Sequence, residues 1–399
     1  MPLVNMKDML QHAYDHGYAV GGFDLVSLDF LQGILDAAER SHSPVILSLA
    51  ESHFEYFDFE LVMPAVETAA RRATVPVAIH LDHGASLESA VQAINRGCNG
   101  VMVDASHTDF AENTRITKSV VDIAHACGIP VEGELGYVPG VEGEDAERHS
   151  GDMAYTSVTE ARAYVKQTGV DFLAVSIGTV HGRMQGKPKL DFECLKQINE
   201  TLAIPLVIHG GTGLSDDQFR QLIANGVSKI NYYTALSDAA AIQIGENIGS
   251  SFSKGYTGLL KNTRNVIAAE VERCMHLWGS ANRAAEVLNQ CQPWDSVEHL
   301  IIYNVEEKNK IAAETMMTKG RRILAAIPGV RRVFTGEAVK VDASYRYSWL
   351  IRFCHPAVID SYREHPDHVA FADKQFRPIA SERISIDYRS LDSQSGGGR

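Results

Sequence analysis

Residues 75–104 read VPVAIHLDHGASLESAVQAINRGCNGVMVD. VPVAIHL (75–81) is a near-continuous apolar run of strand length, Ser86–Arg96 has helical period, and GVMVD (100–104) is apolar again. A strand buried on both faces, then a helix, then another such strand is a parallel crossover unit. The same unit repeats in both directions. YAVGGF (18–23) and PVILS (44–48) precede it, and IPVEGEL (129–135), DFLAVSI (171–177), IPLVIHG (204–210) and SKINY (228–232) follow. Helical segments such as Leu28–Glu39, Ala111–Cys127 and Ser215–Asn225 lie between them. Eight units in about 240 residues fit one closed (β/α)8 barrel better than an open doubly wound sheet. No GxGxxG follows the first strand, which counts against a dinucleotide-binding sheet.

The pattern changes after the eighth strand. Residues 257–290 read as helical, and QCQPWDSVE (290–298) reads as a linker. HLIIYNV (299–305) starts a second unit: a helix over Ala312–Ala326, strands from Val333 and over 344–353, a helix over Ala357–His365 and a last strand ERISIDY (382–388). That is a small, mostly antiparallel α+β domain. The expected divisions are a barrel over 1–289, the linker, the small domain over 299–389 and a disordered tail over 390–399.

The 399 residues carry 37 Lys and Arg against 50 Asp and Glu, a net charge of −13. That argues against a nucleic-acid or anionic-membrane surface as the main partner. No apolar run reaches the length of a membrane span. The start of the chain lacks the layout of a secretory signal. The six cysteines are scattered with no CxxC, so reduced thiols in a cytoplasm are expected.

Three histidines close or follow apolar strands and each precedes glycine: His83 in HLDHG, His181 in TVHG and His209 in IHGG. In a parallel barrel these positions share the C-terminal rim, where active sites form. Three imidazoles converging there suit a catalytic zinc with an open coordination position. His80 is expected to point away by strand alternation, and His53 reads as a surface or helix residue. Asp82 can act as an acid or base on a hydroxyl near the metal. Asp104 ends the fourth strand, and Glu132 and Glu134 face one side of the fifth, where a carboxylate could orient a ligand histidine or hold a second metal position. The segment 137–152 reads as a long acidic loop, either a lid or disordered, and its Glu142 as either a solvated loop residue or a base that swings in when substrate closes the site. GGTG (210–213) opens a helix and exposes backbone N–H groups to an anion. NYYT (231–234) follows the eighth strand, where barrels commonly hold phosphate. A metal beside a phosphate pocket suits proton abstraction next to a ketone.

HLDHG, ELG-x3-G-x-E (134–142), AVSIGTVHG, KPKLDF, IPLVIHGGTG and SKIN occur in the order found in the class II, metal-dependent ketose-bisphosphate aldolases, and the chain resembles their fructose- and tagatose-bisphosphate group over roughly residues 1–285. The resemblance implies one Zn2+ held by His83, His181 and His209, with Glu134 and Asp104 at the acidic positions near it. Asp82 would handle the hydroxyl proton beside the broken bond, and Glu142 would take a proton from dihydroxyacetone phosphate in the condensation direction. Gly182, Gly210, Gly211, Thr212, Gly213, Asn231, Tyr233 and Thr234 would line the ketone-phosphate cradle, with a monovalent cation beside it. The chain departs from the family at Asp24, Ala50, Tyr233 and Ala235; the ketone-phosphate half of the site matches the family and the aldehyde half matches it less well. An alternative therefore stands beside the aldolase: a metal-binding barrel with altered substrate or little cleavage, working with the C-terminal unit as a ligand-binding or assembly module. An isomerase sharing the enolising half-reaction is a third reading.

HLIIYNV and HPDHVAF (365–371) resemble the stress-responsive dimeric α/β-barrel (Dabb) domain. This implies a ferredoxin-like fold that pairs with a second copy, so a homo-oligomer, dimer or tetramer, is expected. His299, His365 and His368 would either line a cleft there or serve as packing and capping residues.

Overall fold

The computed structural model describes residues 2–146, 155–184, 189–249 and 255–391. It divides into two compact units: the chain passes from the first to the second at Pro293 and Trp294, and the segments Val91–Gly97 and Asp122–Ile129 group with the second.

In chain order the strands of the first unit are β1 (Val20–Asp24), β2 (Val45–Ala50), β3 (Val77–Gly84), β4 (Gly100–Val103), β5 (Val131–Leu135), β6 (Gly140–Ala146), β7 (Phe172–Val175), β8 (His181–Met184), β9 (Leu206–Ile208) and β10 (Val227–Tyr232). Eight of them close a parallel barrel in the order β1-β10-β9-β7-β5-β4-β3-β2. They are the eight expected strands. Most of their residues are buried, as both-face coverage by helices requires. Those helices are α1 (Met6–His16), α2 (Leu28–Arg40), α3 (Phe59–Arg72), α4 (Leu87–Arg96), α5 (Phe110–Ala126), α6 (Val158–Thr168), α7 (Phe192–Leu202), α8 (Asp216–Ala224), α9 (Thr234–Gly249), α10 (Tyr256–Leu259), α11 (Thr263–Leu277) and α12 (Ala284–Gln290). Their ends carry the chemistry that helix termini need. Ser215 and Gln218 form a reciprocal capping box on α8, and Asn5 caps α1 while Gly17 ends it in the left-handed region.

Helix α1 closes the N-terminal end of the barrel. Its Met6, Met9, Leu10 and Ala13 pack with Val20, Ile46, Ala78, Phe172 and Val207 from the strands. The expected linker is partly fastened to this end: Asn5 N–H donates to Gln292 O (2.9 Å), and Gln292 N–H donates to Asp8 Oδ2 (2.9 Å).

The segment 137–152, expected as a loop, differs from that expectation. Its part β6 pairs in parallel with β8, and His181 N–H donates to Pro139 O (2.8 Å). VEGEDA carries no apolar alternation, so its pairing depends on backbone partners that the sequence does not reveal. Residues 147–152 and the side chain of Glu142 lie outside the described residues.

The second unit contains β11 (Val297–Asn304), α13 (Lys310–Ala325), β12 (Val330–Glu337), β13 (Tyr347–Phe353), α14 (Val358–Glu364), α15 (Pro366–Phe371) and β14 (Ser381–Arg389). Its antiparallel sheet has the order β12-β13-β11-β14, the ferredoxin-like arrangement expected. One face packs Tyr303, Trp349, Ile351 and Phe353 in the core. By register the other face carries Leu300, Ile302, Phe334, Leu350, Ile384 and Ile386. Pro366 sits in the first turn of α15, and His365 Nδ1 accepts from Asp367 N–H (3.3 Å), so this histidine caps the helix. Residues 392–399 of the expected tail lie outside the described residues.

Candidate active site and metal centre

The C-terminal rim brings His83, His181 and His209 together. One ring nitrogen from each lies within 4.8 Å of the others. Two backbone features make this convergence. Adjacent strand residues normally face opposite ways, yet Asp82 and His83 both reach the rim. His83 has φ +45° and the β3–β4 register shifts between Leu81 and Gly84, so the chain is re-aimed there. His80 keeps the parity of Asp82 and lies fully buried, with its Nε2 3.7 Å from Glu132 and outside the three-histidine group. The second feature is Gly210, at φ +71°. A Cβ there would lie 2.1 Å from Val180 O, so only glycine lets the turn after His209 pass against the residue before His181.

The rings are held from behind. His83 Nδ1 lies 2.9 Å from Asp104 Oδ2, and His209 Nε2 lies 2.9 Å from Glu132 Oε1. Ionised carboxylates only accept, so both of these nitrogens donate. The remaining nitrogens, His83 Nε2 and His209 Nδ1, face each other at 2.8 Å. In neutral rings both carry lone pairs, whereas a protonated His83 donates from Nε2 to His209 Nδ1, so the space between them suits a cation, a proton or a metal ion. The surroundings agree. Burial disfavours charge on His83, but Asp82, Asp104 and Glu134 outweigh it and push its pKa well above the ordinary value. Burial, with His83 close by, lowers His209 well below it. Burial and the Asp104 charge push the Glu134 carboxyl up, and its Oε2 has no hydrogen-bond partner among the described residues. Against burial, bonds from His83 and Ser106 hold Asp104 below the usual carboxylate range. Three imidazoles flanked by carboxylates are a donor set that suits zinc. Asp82, Glu132 and His209 form a second such group, and His83, Asp104 and Glu134 a third.

Asp82 is buried, and its Oδ1 accepts from Asn231 Nδ2 (2.7 Å). Burial pushes its carboxyl up, but His83, His209 and Lys229 bring it below the ordinary value. On the other side of the rim, Gly210, Gly211, Thr212 and Gly213 lead from β9 toward α8. Thr212 Oγ1 accepts from Ala235 N–H (3.2 Å), tying this turn to the start of α9, whose first residue is the buried Thr234. Gly182 has φ +82° beside His181. The Tyr233 ring lies 4.4 Å from that of His53 and 6.1 Å from that of Phe30. His53, expected as a surface or helix residue, is buried on a short 3-10 helix over Glu51–Glu55. The sequence reading also missed Lys229, which is fully buried with its Nζ 2.7 Å from Glu132 Oε2.

Comparisons with known proteins give the family. Residues 4–283 match the family model "Fructose-bisphosphate aldolase class-II", and residues 297–390 match "Stress responsive A/B Barrel Domain". The fructose-bisphosphate aldolase of Geobacillus stearothermophilus is 41% identical over 290 residues, 72% of this chain and 100% of that protein. That of Staphylococcus epidermidis is 39% identical over 291 residues, 71% of this chain and all of the relative. Among solved structures, the YdjI aldolase from Escherichia coli K12 superposes with a TM-score of 0.62 at 34% identity, covering 71% of this chain and 99% of that one. The chain belongs to the class II fructose-bisphosphate aldolase family, a family of carbon–carbon lyases, and carries a stress-responsive A/B barrel domain after the aldolase barrel.

Proposed function

We propose that this chain is a zinc-dependent aldolase that reversibly cleaves a ketose phosphate, such as fructose 1,6-bisphosphate, into dihydroxyacetone phosphate and an aldehyde. The observation that carries the reading is the convergence of His83, His181 and His209, with Nε2 of His83 and Nδ1 of His209 turned inward toward each other, beside the buried Asp82. Zinc, when bound, polarises a ketone oxygen and takes up the negative charge that develops as the adjacent bond breaks.

The chain's own residues do the rest. Asp82, held by Asn231, removes the proton of the hydroxyl on the carbon to be released as aldehyde. The electron pair of the broken carbon–carbon bond stays with the ketone fragment, and Glu142 delivers a proton to that carbon. In condensation the same groups run in reverse. Gly182, the 210–213 turn, Asn231, the backbone at Tyr233, and Thr234 cradle the phosphate, with room for a monovalent cation. Glu134 and Asp104 supply the acidic positions beside the metal. The free cysteines, all buried except the half-buried Cys194, suit a reducing compartment such as the cytoplasm.

We assign residues 1–289 to the barrel and 299–389 to the second domain. The apolar outer face of the β11–β14 sheet favours a homo-oligomer in which this face meets a second copy.

A second reading rests on the aldehyde side of the rim. Ala50 offers no hydroxyl there, and the Tyr233 and His53 rings fill space. An altered substrate is the alternative. The test is exchange of the C3 proton of dihydroxyacetone phosphate in heavy water, with no aldehyde present. Exchange that a chelator stops and zinc restores supports the aldolase half-reaction. No exchange by a zinc-loaded protein moves the altered-substrate reading ahead.

A further inference from the structure

Lys229 is a lysine in the middle of a barrel strand, with no exposure to solvent. Burying an ammonium costs several kcal/mol unless it is paired. Its partner is Glu132, equally buried, one carboxylate oxygen of which is 2.7 Å from Nζ. The other oxygen, Oε1, is 2.9 Å from His209 Nε2. The barrel makes room for this lysine: a Cβ on Gly22 would lie 3.3 Å from Lys229 Cε and 2.9 Å from Asn231 Oδ1.

An ammonium has three donors and no acceptor, and a carboxylate has acceptors only. The sequence Lys229 to Glu132 to His209 therefore has a single polarity. With Lys229 donating to one oxygen, Glu132 remains an acceptor at the other. His209 must then carry its hydrogen on Nε2 and direct the Nδ1 lone pair toward His83 Nε2. We propose that Lys229 and Glu132 together are positioning residues for the metal centre, fixing which nitrogen of His209 is offered to the ion. Neither touches substrate. His80, also fully buried and 3.7 Å from Glu132 Oε2, is a third member of this layer, with no hydrogen-bond partner on either ring nitrogen among the described residues. It leaves the carboxylate's close contacts to Lys229 and His209. The inference rests on the zinc-centre reading above.

The test compares the full-length protein with Lys229→Met and with the charge-balanced pair Lys229→Met/Glu132→Gln. The double variant buries no charge, so it carries the test if the single one fails to fold. A Gln amide presents either a donor or an acceptor to His209, so the polarity is no longer imposed. Three readouts are taken: zinc affinity by competition with a chelator, the visible spectrum of the cobalt-loaded protein, and the melting temperature of the metal-free protein. The expected result is a metal-free double variant that melts at or above the wild type. It should hold zinc roughly 10- to 100-fold more weakly, as loss of a carboxylate behind a ligand histidine usually does, with an altered cobalt spectrum. A double variant with wild-type zinc affinity and an unchanged cobalt spectrum would make the pair mere filling of the barrel and overturn the proposal. Wild-type protein that binds no stoichiometric zinc would instead overturn the centre itself, so the two failures are told apart.

Discussion

Replacing Asp82 by Asn separates the two proton transfers of the proposed reaction. Asp82 is buried at the end of β3, and its Oδ1 accepts from Asn231 Nδ2 at 2.7 Å. The carbonyl oxygen of the new amide can accept the same bond, so the side chain keeps its place. Changing a charged acceptor for a neutral one weakens that bond by about 1–1.5 kcal/mol. Losing a positioned proton acceptor costs roughly 10²- to 10⁴-fold in rate, or about 2.7–5.4 kcal/mol of barrier. Cleavage of fructose 1,6-bisphosphate, followed by coupled reduction of the ketone product, should fall by that factor. Exchange of the C3 proton of dihydroxyacetone phosphate uses Glu142 and needs no hydroxyl deprotonation. It should fall no more than about tenfold, the size of the weakened hydrogen bond. Zinc content should stay at the wild-type level. If exchange falls as far as cleavage while zinc is retained, Asp82 does not have the separate role assigned to it.

Other perturbations test the frame around this site. Chelation should stop turnover and lower the melting temperature, because a ligand at 100 times its Kd stabilises the native state by about 2.7 kcal/mol; His83→Ala should show neither stoichiometric zinc nor a zinc-dependent shift, by metal analysis and calorimetry. Gly210→Ala and Gly213→Ala both place alanine at positive φ, a cost of roughly 1–2 kcal/mol each. Only the first also meets a backbone oxygen, at 2.1 Å, so denaturant unfolding should rank it well below the second in stability and in zinc affinity. Equal losses would mean that the turn after His209 adapts. Native thiol titration should find one slowly reacting cysteine per chain, Cys194, whose pKa burial raises, and six after unfolding. Ending the chain after Pro293 should leave proton exchange intact and lower the oligomeric state, as read by sedimentation; an unchanged assembly would put the subunit contact on the barrel.

Some of this was open to sequence reading and some was not, for physical reasons. A strand buried on both faces is written as an apolar run, so all eight barrel strands were legible, and so was the rim where His83, His181 and His209 end them. Met6, Met9, Leu10 and Ala13 have the i, i+3, i+4, i+7 spacing of a helix, but the closing role of α1 depends on a barrel floor assembled from distant strands. The parity rule failed at His83 because one left-handed residue and a register shift changed the facing. The pairing of β6 with β8 joins segments whose compositions carry no strand signal. Tyr233 was read as part of the phosphate cradle from its place in NYYT, yet its ring turns toward His53 and Phe30, a direction that only packing decides.

The layer beneath the rim was hidden most completely, and its composition is the strongest sign that it serves the centre. The interior of such a barrel is ordinarily filled by bulky branched apolar side chains. Here His80, Glu132 and Lys229 are inside, fully buried, directly behind His209. An ion pair so placed is weak evidence for stability, since well-packed apolar residues of like volume often do as well or better. Filling space therefore does not explain the choice of Lys229, while orientation does. An apolar filler could support the His209 ring sterically but could not decide which nitrogen carries the hydrogen. In SKINY a lone lysine looks like a solvated strand residue, because its partner lies 97 positions away in another strand. The hydrogen-bond polarity that makes it useful exists only once β5, β9 and β10 have been brought together in one barrel.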